Sequence, residues 1–592
     1  MKIIRLLPLG LLVVFYATPA FCQQPSLSGV GSESEAVSPK GSVTRDGLAQ
    51  ALINAEHDPQ YGLHLFPKRG GKLDWGLALS GGGLRSAAFS LGAMKALYDK
   101  KMMGDVDVIS SASGGGYISY WAFTNYAQDK TQAFGDGAFR NDKFIQNVCE
   151  LQTVGQSNLV KNKRYVQILS TKLIGRREQA FRNYQQAIEN SFGNKTSTDT
   201  PLSFLHEERT NAPYFIINTT VAIDDRDKEK RPALGNKSSQ VFEISPHFRG
   251  NPEIGFIDWT KEDKGNPSLS KAIAMSGAPH LFGPFGIEGK IKNFHDAIAG
   301  KDLTLTDGGH SENLAALALI RRGIKKVIIV DAEADPAYKF DSYLNLKKIL
   351  DEMKINFCVP DIEWFLGTQC NVAEIGISPQ GGSRKIFSPK AISEGKAKGA
   401  NGSIDTHIYY IKMSLPNAVL PEIFLEVDEH EKKCNRITDG QKLESERQCQ
   451  LCPDAKLVPH RPCRQRQETY KRNCKEIRGC QNIDLKLGTE GRTYSALYAN
   501  IVWSYSEYLN KPSFKNFPLW ATTKTFNALG RACYFLTKPD FLKGKPREFC
   551  SMLSYTFPHV TTLDQSFYTD QIEAFVGLGY LQTMKMEKPR TQ

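Results

Sequence analysis

The chain has 592 residues, a formal net charge of +12 at pH 7 and a mean hydropathy of −0.37. Its length alone predicts about four domains. Beyond the first 22 residues, no stretch has the length and apolar character of a membrane span, and no internal repeat or long low-complexity tract occurs. These features argue against a chain that crosses a membrane and against a repeat architecture.

The N-terminal segment has the pattern of a secretory signal peptide. Basic Lys2 and Arg5 precede a short apolar stretch at 6–16, and small residues stand before the expected cleavage point after Cys22. This arrangement is typical of an export signal that is removed from the mature protein. We therefore expect an exported protein, periplasmic or secreted, whose mature chain is soluble and begins with a flexible leader at 23–45.

The first chemical motif is a tri-glycine turn at 81–83. It follows a predicted buried strand at 74–79 and precedes a predicted helix at 86–98. Because glycines have no side chains, their N–H groups can converge on an anion where a helix begins. Each such donor stabilises a developing oxyanion by about 3 kcal/mol. The alternative is a dinucleotide-phosphate loop, but Ser86 stands where that fingerprint has its third glycine.

The second motif places a serine on a tight turn. An apolar strand is predicted at 106–109 and a helix at 114–127, with Ser113 between them. This is the geometry of a nucleophile elbow, although Ser111 replaces the first glycine of the usual G-x-S-x-G pattern. Alone, such a turn is more often structural. Two successive strand–turn–helix units, however, would lie side by side in a parallel sheet and bring both turns to one substrate carbonyl.

The third motif is Asp307, followed by two glycines that let the backbone pass close to its carboxylate. In isolation this would be a surface turn. A helix is predicted at 313–321 and strands at 214–220 and 324–330. Because strands and helices alternate over 46–425, the sequence predicts an α/β fold of three layers, with a mostly parallel sheet between helices.

In these motifs and their order, the chain resembles the patatin-like phospholipase superfamily, with a lean toward its cytosolic phospholipase A branch. Residues 80–86 are similar to the family's oxyanion motif, 111–115 to its nucleophile motif and 307–309 to its base motif. Residues 274–279 resemble the small-residue segment that precedes the aspartate, and 557–565 add a further similarity near the C-terminus.

The resemblance implies a lipid acyl hydrolase with a Ser–Asp dyad, which needs no cofactor and no metal. Asp307 would accept the proton of Ser113, which forms an acyl-enzyme that water hydrolyses. Arg85 corresponds to the family's loop cation; binding a phospholipid head group and bracing the loop are equally open roles for it. The implied oxyanion donors are the N–H groups of Gly81, Gly82, Gly83 and Gly114.

Two alternatives remain open. An α/β-hydrolase-like carboxylesterase would use a Ser-Asp-His triad, for which His310 and His559 are the candidates. The incomplete G-x-S-x-G pattern and the glycine loop one unit before the serine argue against it. A catalytically inactive lipid-binding module is the other alternative, and it is disfavoured because all three reactive positions are filled.

Cysteine usage fits an oxidising compartment. Eleven of the 12 cysteines lie beyond position 22, so pairing would leave one free thiol. Short spacing favours disulfides between Cys358 and Cys370 and between Cys533 and Cys550.

Six further cysteines lie in a basic insertion at 430–482, and their pairing does not follow from the sequence. The rival interpretation of this insertion is a zinc site formed by Cys449, Cys452, His460 and Cys463, but its ligand spacing is irregular.

The region 483–592 regains aromatic and aliphatic residues and is predicted to pack on the catalytic domain, so we expect one large domain rather than four.

Basic residues concentrate at 161–182 and 432–478. They suit contact with an anionic phospholipid surface, and a merely solvated basic surface fits equally well. No nucleic-acid-binding motif is present, so we expect an acyl-lipid substrate and no nucleic acid. Nothing in the sequence indicates an oligomeric state.

Overall fold

The computed structural model describes residues 74–124, 177–193, 213–222, 240–246, 248–251, 255–258, 268–278, 289–291, 303–335, 338–370, 390–400, 402, 404–415, 497, 557–559 and 569–587. Several predictions fall on segments outside these residues: the signal peptide, the leader, the cysteine-rich insertion at 430–482, and the pair Cys533 and Cys550.

Twelve strands form one sheet in the described part of the chain. They are β1 (Trp75–Leu79), β2 (Val108–Ala112), β3 (Tyr214–Val221), β4 (Val241–Ile244), β5 (Phe248–Asn251), β6 (Gly255–Asp258), β7 (Gly289–Ile291), β8 (Leu303–Thr306), β9 (Lys326–Asp331), β10 (Ile355–Cys358), β11 (Ser393–Gly399) and β12 (Asp405–Lys412). The α-helices within the described ranges are α1 (Gly83–Asp99), α2 (Gly114–Ala122), α3 (Arg177–Phe192), α4 (Leu269–Ser276), α5 (Leu317–Ile320), α6 (Asp341–Glu352), α7 (Pro360–Leu366) and α8 (Thr569–Met584). Short 3-10 turns lie at Met103–Asp105 and Gly308–His310.

The strand order is β10-β11-β12-β9-β1-β2-β3-β4-β5-β6, and the β7–β8 hairpin joins it through β3. The central run β12-β9-β1-β2-β3 is parallel throughout, whereas the strands on either side are antiparallel. The predicted α/β class with a mostly parallel central sheet is therefore confirmed, and the antiparallel outer strands were not anticipated.

The centre of the sheet is buried on both faces, as parallel sheets require. Leu77 and Leu79 of β1 lie in one hydrophobic core, whereas Ala78 lies in the other. The paired strand β9 follows the same alternation, with Ile328 in the first core and Ile329 in the second. Helices α1, α2, α3, α4 and α8 contribute to the first core, and α5, α6 and α7 to the second. The sheet thus separates two helical layers.

Helix α5 is shorter than the helix predicted at 313–321. It begins at Leu317 because the preceding residues form an irregular turn, in which Ala315 has a φ of 57°. The buried carboxylate of Glu312 holds this turn by accepting the backbone N–H groups of Leu314 at 2.6 Å and Leu317 at 3.1 Å. The hydrogen bonds to the Glu312 carboxylate therefore stabilise a turn where the apolar pattern predicted the start of a helix.

Cys358, the last residue of β10, and Cys370, shortly after α7, are paired as a disulfide with their Cα atoms 6.0 Å apart. This separation is ordinary for such a bond. Among the described residues, no helix is long and apolar enough to cross a membrane.

The C-terminal helix α8 packs closely on α1, the helix that begins at the glycine loop. A Cβ atom placed on Gly579 would lie only 2.0 Å from the carbonyl oxygen of Phe89. The two helix backbones can approach this closely because Gly579 has no side chain and neither has Gly92 of α1, where a Cβ would lie 1.9 Å from the carbonyl oxygen of Val576.

We expect Gly579→Ala to lower the free energy of unfolding by about 1–3 kcal/mol, because the added methyl group forces α1 and α8 apart. In an unconstrained helix the same change would stabilise by about 0.5–1 kcal/mol. The sign of the change in unfolding free energy therefore shows whether the added methyl group forces the two helices apart. Gly104→Ala is the matched control, since a Cβ there meets no atom within 4 Å. Urea unfolding of the two variants and the wild type measures the effect, and an unchanged or raised midpoint for Gly579→Ala would contradict the packing described.

Candidate functional site

Ser113 lies between β2 and α2, at the carboxyl end of a central parallel strand. Its backbone has φ 50° and ψ −118°, a strained conformation for a residue with a side chain, and only 5% of the residue is exposed. Strain of this kind concentrates at functional sites. The neighbouring turn must be small, since a Cβ on Gly114 would lie 2.1 Å from the carbonyl oxygen of Gly83. The predicted strand–turn–helix geometry is present.

Asp307 follows β8 and contacts Ser113 directly. Its Oδ2 accepts a hydrogen bond from Ser113 Oγ at 2.9 Å, and its Oδ1 accepts one from the N–H of Gly309 at 2.8 Å. The adjacent Gly308 fits beside β3 because it has no side chain; a Cβ there would lie 2.2 Å from the carbonyl oxygen of Asn218. The structure therefore brings together the serine and the aspartate that the sequence singled out, although they lie 194 positions apart in the chain.

The environment of Asp307 favours a proton acceptor near neutral pH. Burial raises the pKa of its carboxyl group to about 6, although hydrogen bonds from Gly309 and Ser113 oppose the shift. A base is most effective when its pKa lies near the working pH. Because the hydrogen-bonded hydroxyl is the group to be deprotonated, the geometry suits direct proton transfer from Ser113.

Ser276, at the end of α4, supports the backbone of the turn at Ser113. Its Oγ accepts the N–H of Ser113 at 2.9 Å and donates to the carbonyl oxygen of Asn218 at 2.6 Å. Sequence reasoning noted the small-residue segment at 274–279 but did not identify this contact. The signal was available in part, because a small polar residue in an otherwise apolar segment is typical of a buried hydrogen-bond bridge.

The glycine loop lies against Ser113. Gly82 and Gly83 have φ values of 138° and 63°, which residues with side chains rarely adopt. A Cβ on Gly81 would lie 3.2 Å from the Cβ of Ser113. The structure differs from the expectation at Gly81, because its N–H already donates to the carbonyl oxygen of Asn313 at 2.8 Å. The N–H of Gly81 therefore anchors the loop to Asn313. The expected oxyanion donors that remain are the N–H groups of Gly82, Gly83 and Gly114.

Arg85 is fully buried in the first turn of α1. Its Nε donates to the carbonyl oxygen of Ala332 at 3.2 Å, and its guanidinium lies against Gly82, where a Cβ would be 2.8 Å from Nη2. Burial lowers its pKa to about 10, with Glu333 and Asp331 opposing the shift. Of the two roles left open by the sequence, this position agrees with bracing of the glycine loop.

A buried ion cluster holds the turn to which Arg85 binds. Lys412 Nζ lies 2.9 Å from an oxygen of Asp331, 3.5 Å from Asp335 and 3.7 Å from Glu333. Burial acts to lower the pKa of Lys412, but the three carboxylates outweigh it and raise the pKa above its ordinary value. Lys412 therefore stays charged and gives these three carboxylates an oppositely charged neighbour behind the glycine loop.

The two candidate histidines lie in different places. His310 is exposed on the 3-10 turn after Asp307. His559 is buried, its Nδ1 accepts the N–H of Asp335 at 3.2 Å, and its ring meets that of Tyr338 edge-on at 5.3 Å. Burial lowers the pKa of His559 to about 3, which keeps the ring neutral. His559 thus supports Asp335 and packs on Tyr338, while the carboxylate of Asp307 binds Ser113 and Gly309.

No cluster of three or more His, Cys, Asp or Glu side chains suited to a metal ion occurs within the described ranges. The cysteines and histidine of the rival zinc interpretation, all within 449–463, lie outside them.

Residues 77–320 match the family model described as Patatin-like phospholipase. No curated protein matches the chain. Among solved structures, human GIVD cytosolic phospholipase A2 is similar with 11% identity and a TM-score of 0.38, covering 62% of this chain and 57% of that one. VipD from Legionella pneumophila has 17% identity and a TM-score of 0.21, covering 50% of this chain and 56% of that one. The chain therefore spans little more than half the length of each.

We expect the reactivity of Ser113 to depend on the protonation of Asp307. Only the carboxylate can accept a proton, so reactivity is present above the raised pKa of about 6 and is lost as the pH falls through it. Below that pKa the rate should approach a tenfold loss per pH unit. The measurement is the rate of covalent labelling by a fluorophosphonate across pH, with Ser113→Ala as the blank and circular dichroism to verify folding. A rate that does not change between about pH 5 and pH 8 would exclude Asp307 as the base.

Proposed function

We propose that the protein is a lipid acyl hydrolase of the phospholipase A or lysophospholipase type, because residues 77–320 match the family model described as Patatin-like phospholipase. It cleaves fatty-acyl esters through Ser113 and Asp307 and an acyl-enzyme intermediate. The observation that supports this best is the 2.9 Å hydrogen bond from Ser113 Oγ to Asp307 Oδ2. The chemistry requires no cofactor, because the nucleophile and its base are both side chains of this chain.

In the acylation half, Ser113 Oγ attacks the acyl carbonyl carbon while its proton passes to Asp307 Oδ2. The carbonyl oxygen becomes an oxyanion, which the N–H groups of Gly82, Gly83 and Gly114 are placed to stabilise at the start of α1 and α2. The tetrahedral intermediate then collapses: the bond to the alcohol oxygen breaks, and that oxygen takes the proton from Asp307. The acyl group remains as an ester on Ser113.

In the deacylation half, a water molecule attacks the acyl carbon and gives its proton to Asp307. A second oxyanion forms in the same donor set. When the intermediate collapses, the bond to Ser113 Oγ breaks, the proton returns from Asp307 to Ser113, and the fatty acid leaves. One carboxylate serves as base and then as acid in each half, which suits a pKa of about 6.

Arg85 is proposed as a positioning residue. Its guanidinium lies against Gly82 and binds the carbonyl oxygen of Ala332. It therefore ties the glycine loop to the turn after β9, which Lys412 holds through Asp331. Such a brace keeps the oxyanion donors in place before substrate arrives, and preorganised donors are what stabilise a transition state.

Export to the periplasm or the exterior is proposed from the N-terminal signal pattern and the cysteine content. The Cys358–Cys370 pair fits an oxidising compartment. The substrate is proposed to be a phospholipid or another acyl lipid, met at a membrane surface that the net positive charge would favour.

We expect Ser113→Ala to abolish fatty-acid release from mixed phospholipids, because no other group replaces the nucleophile. Asp307→Asn should lower turnover by about 10²- to 10⁴-fold, since a neutral amide cannot accept the serine proton. His310→Ala, on the same turn, is the matched control and should retain most activity. Mass analysis of the products from purified protein measures all three.

A collapse of activity in His310→Ala, with its fold intact, would support a triad instead of the dyad. Full activity in Ser113→Ala would remove the proposed nucleophile.

For Arg85→Ala we expect similar losses of kcat/KM, about 10- to 100-fold, on a phospholipid and on a short-chain nitrophenyl ester, because both need the same oxyanion donors. Arg321→Ala is the control: Arg321 is also buried, but it pairs with Glu243 at 2.6 Å. Its loss should reduce stability without changing kcat/KM of the folded enzyme. A much larger loss on the phospholipid alone would restore a head-group role for Arg85.

A further inference from the structure

Asn313 contacts both loops that take part in the proposed reaction. Its carbonyl oxygen accepts the N–H of Gly81 at 2.8 Å. Its side-chain oxygen lies against Gly81 and Gly309 at once, since a Cβ on these glycines would be 2.2 Å and 2.7 Å from Asn313 Oδ1. One residue thus separates the glycine loop from the turn that follows Asp307.

The side chain of Asn313 is itself held from a third element. Its Nδ2 donates to Ser342 Oγ at 3.0 Å, in the first turn of α6. The backbone N–H of Ser342 donates in turn to Glu333 at 3.3 Å. The neighbouring Glu312 fixes the following turn through its carboxylate. The amide of Asn313 is therefore held in one orientation.

Both glycines that Asn313 touches adjoin a reacting group. A Cβ on Gly81 would lie 3.2 Å from the Cβ of Ser113, and the N–H of Gly309 donates to Asp307 Oδ1 at 2.8 Å. If the amide were absent, the glycine loop could move toward the base turn. The oxyanion donors and the base would then no longer keep their positions relative to Ser113.

We propose that Asn313 is a positioning residue that sets the distance between the oxyanion donors and the carboxylate of Asp307. This inference rests on the proposed function. Errors of about 1 Å in such an arrangement cost up to roughly 100-fold in rate, so a spacer between the two loops acts on catalysis without touching substrate.

The test compares Asn313→Ala and Asn313→Asp with Asn345→Ala. Asn345 is a matched control, because it is also half-buried and its Nδ2 donates to the carbonyl oxygen of Ser311 in the same loop at 2.8 Å. The probe is a fluorophosphonate with a fatty-acyl chain. Its labelling of Ser113 is measured as the maximal rate of inactivation and as the concentration that gives half that rate. Urea unfolding is recorded alongside.

Asn313→Ala is expected to lower the maximal inactivation rate by about 10- to 100-fold with little change in the half-saturating concentration. Asn313→Asp should not restore the rate, although it restores the size, because it places a negative charge beside the oxyanion donors. Asn345→Ala should stay within about twofold of the wild type, even where it unfolds at lower urea. A merely structural role would instead give equal rates in Asn313→Ala and Asn345→Ala, and that result would overturn the proposal.

Ser342→Ala keeps the test informative if Asn313→Ala does not fold, since it leaves Asn313 in place and removes only the acceptor of its Nδ2. A rate loss in the same direction is expected, and a rate equal to the wild type would overturn the proposal. A wild-type protein that neither reacts with the probe nor releases fatty acid would refute the proposed function itself. An active wild type whose Asn313 and Ser342 variants react at the wild-type rate would instead refute only the positioning role of Asn313.

Discussion

The parallel pairing of β1 with β2 places Leu79 opposite Ser111, and the geometry of the site follows from that register. The chain leaves both strands at the same edge of the sheet, so the glycine loop and the turn at Ser113 lie side by side. They approach so closely that a Cβ on Gly114 would meet the carbonyl oxygen of Gly83, and one on Gly115 that of Leu79, within 2.2 Å. Any side chain at these positions would separate the proposed oxyanion donors from Ser113.

Electrostatics distinguishes the carboxylate of Asp307 from that of Glu243. Burial acts to raise the pKa of Glu243 as well, but Arg321 and Arg322 outweigh it and bring that pKa down to about 2. Hydrogen bonds from Gly309 and Ser113 oppose the effect of burial on Asp307 only in part, and its pKa rises to about 6. Burial therefore accompanies a charged partner of two arginines at Glu243 and a carboxyl group with a raised pKa at Asp307.

The support behind the glycine loop comes from distant parts of the chain. Lys412 of β12 and His559 both bind the turn that receives Arg85. Helix α8 packs on α1, the helix that starts at the loop. Stability and the proposed activity are thus linked, since the residues that hold the loop also fill the space between sheet and helices. In such an arrangement a stabilising contact far along the sequence sets the position of a reacting group.

The sequence by itself determined the local geometry: strand, tight turn and helix around Gly81–Gly83 and Ser113, the Asp-Gly-Gly turn, and the mostly parallel centre of the sheet. Apolar periodicity and glycine placement encode the turns and their flanking elements within about 20 residues, whereas the parallel sheet follows from the alternation of strands and helices over 46–425. Only the tertiary structure decided the rest. The strand before Asp307 enters as an antiparallel partner of β3, the N–H of Gly81 is taken by Asn313, and Arg85 is buried beneath its loop. A hydrogen-bond partner depends on which distant segments of the chain come together in the fold, and a local sequence pattern does not specify this.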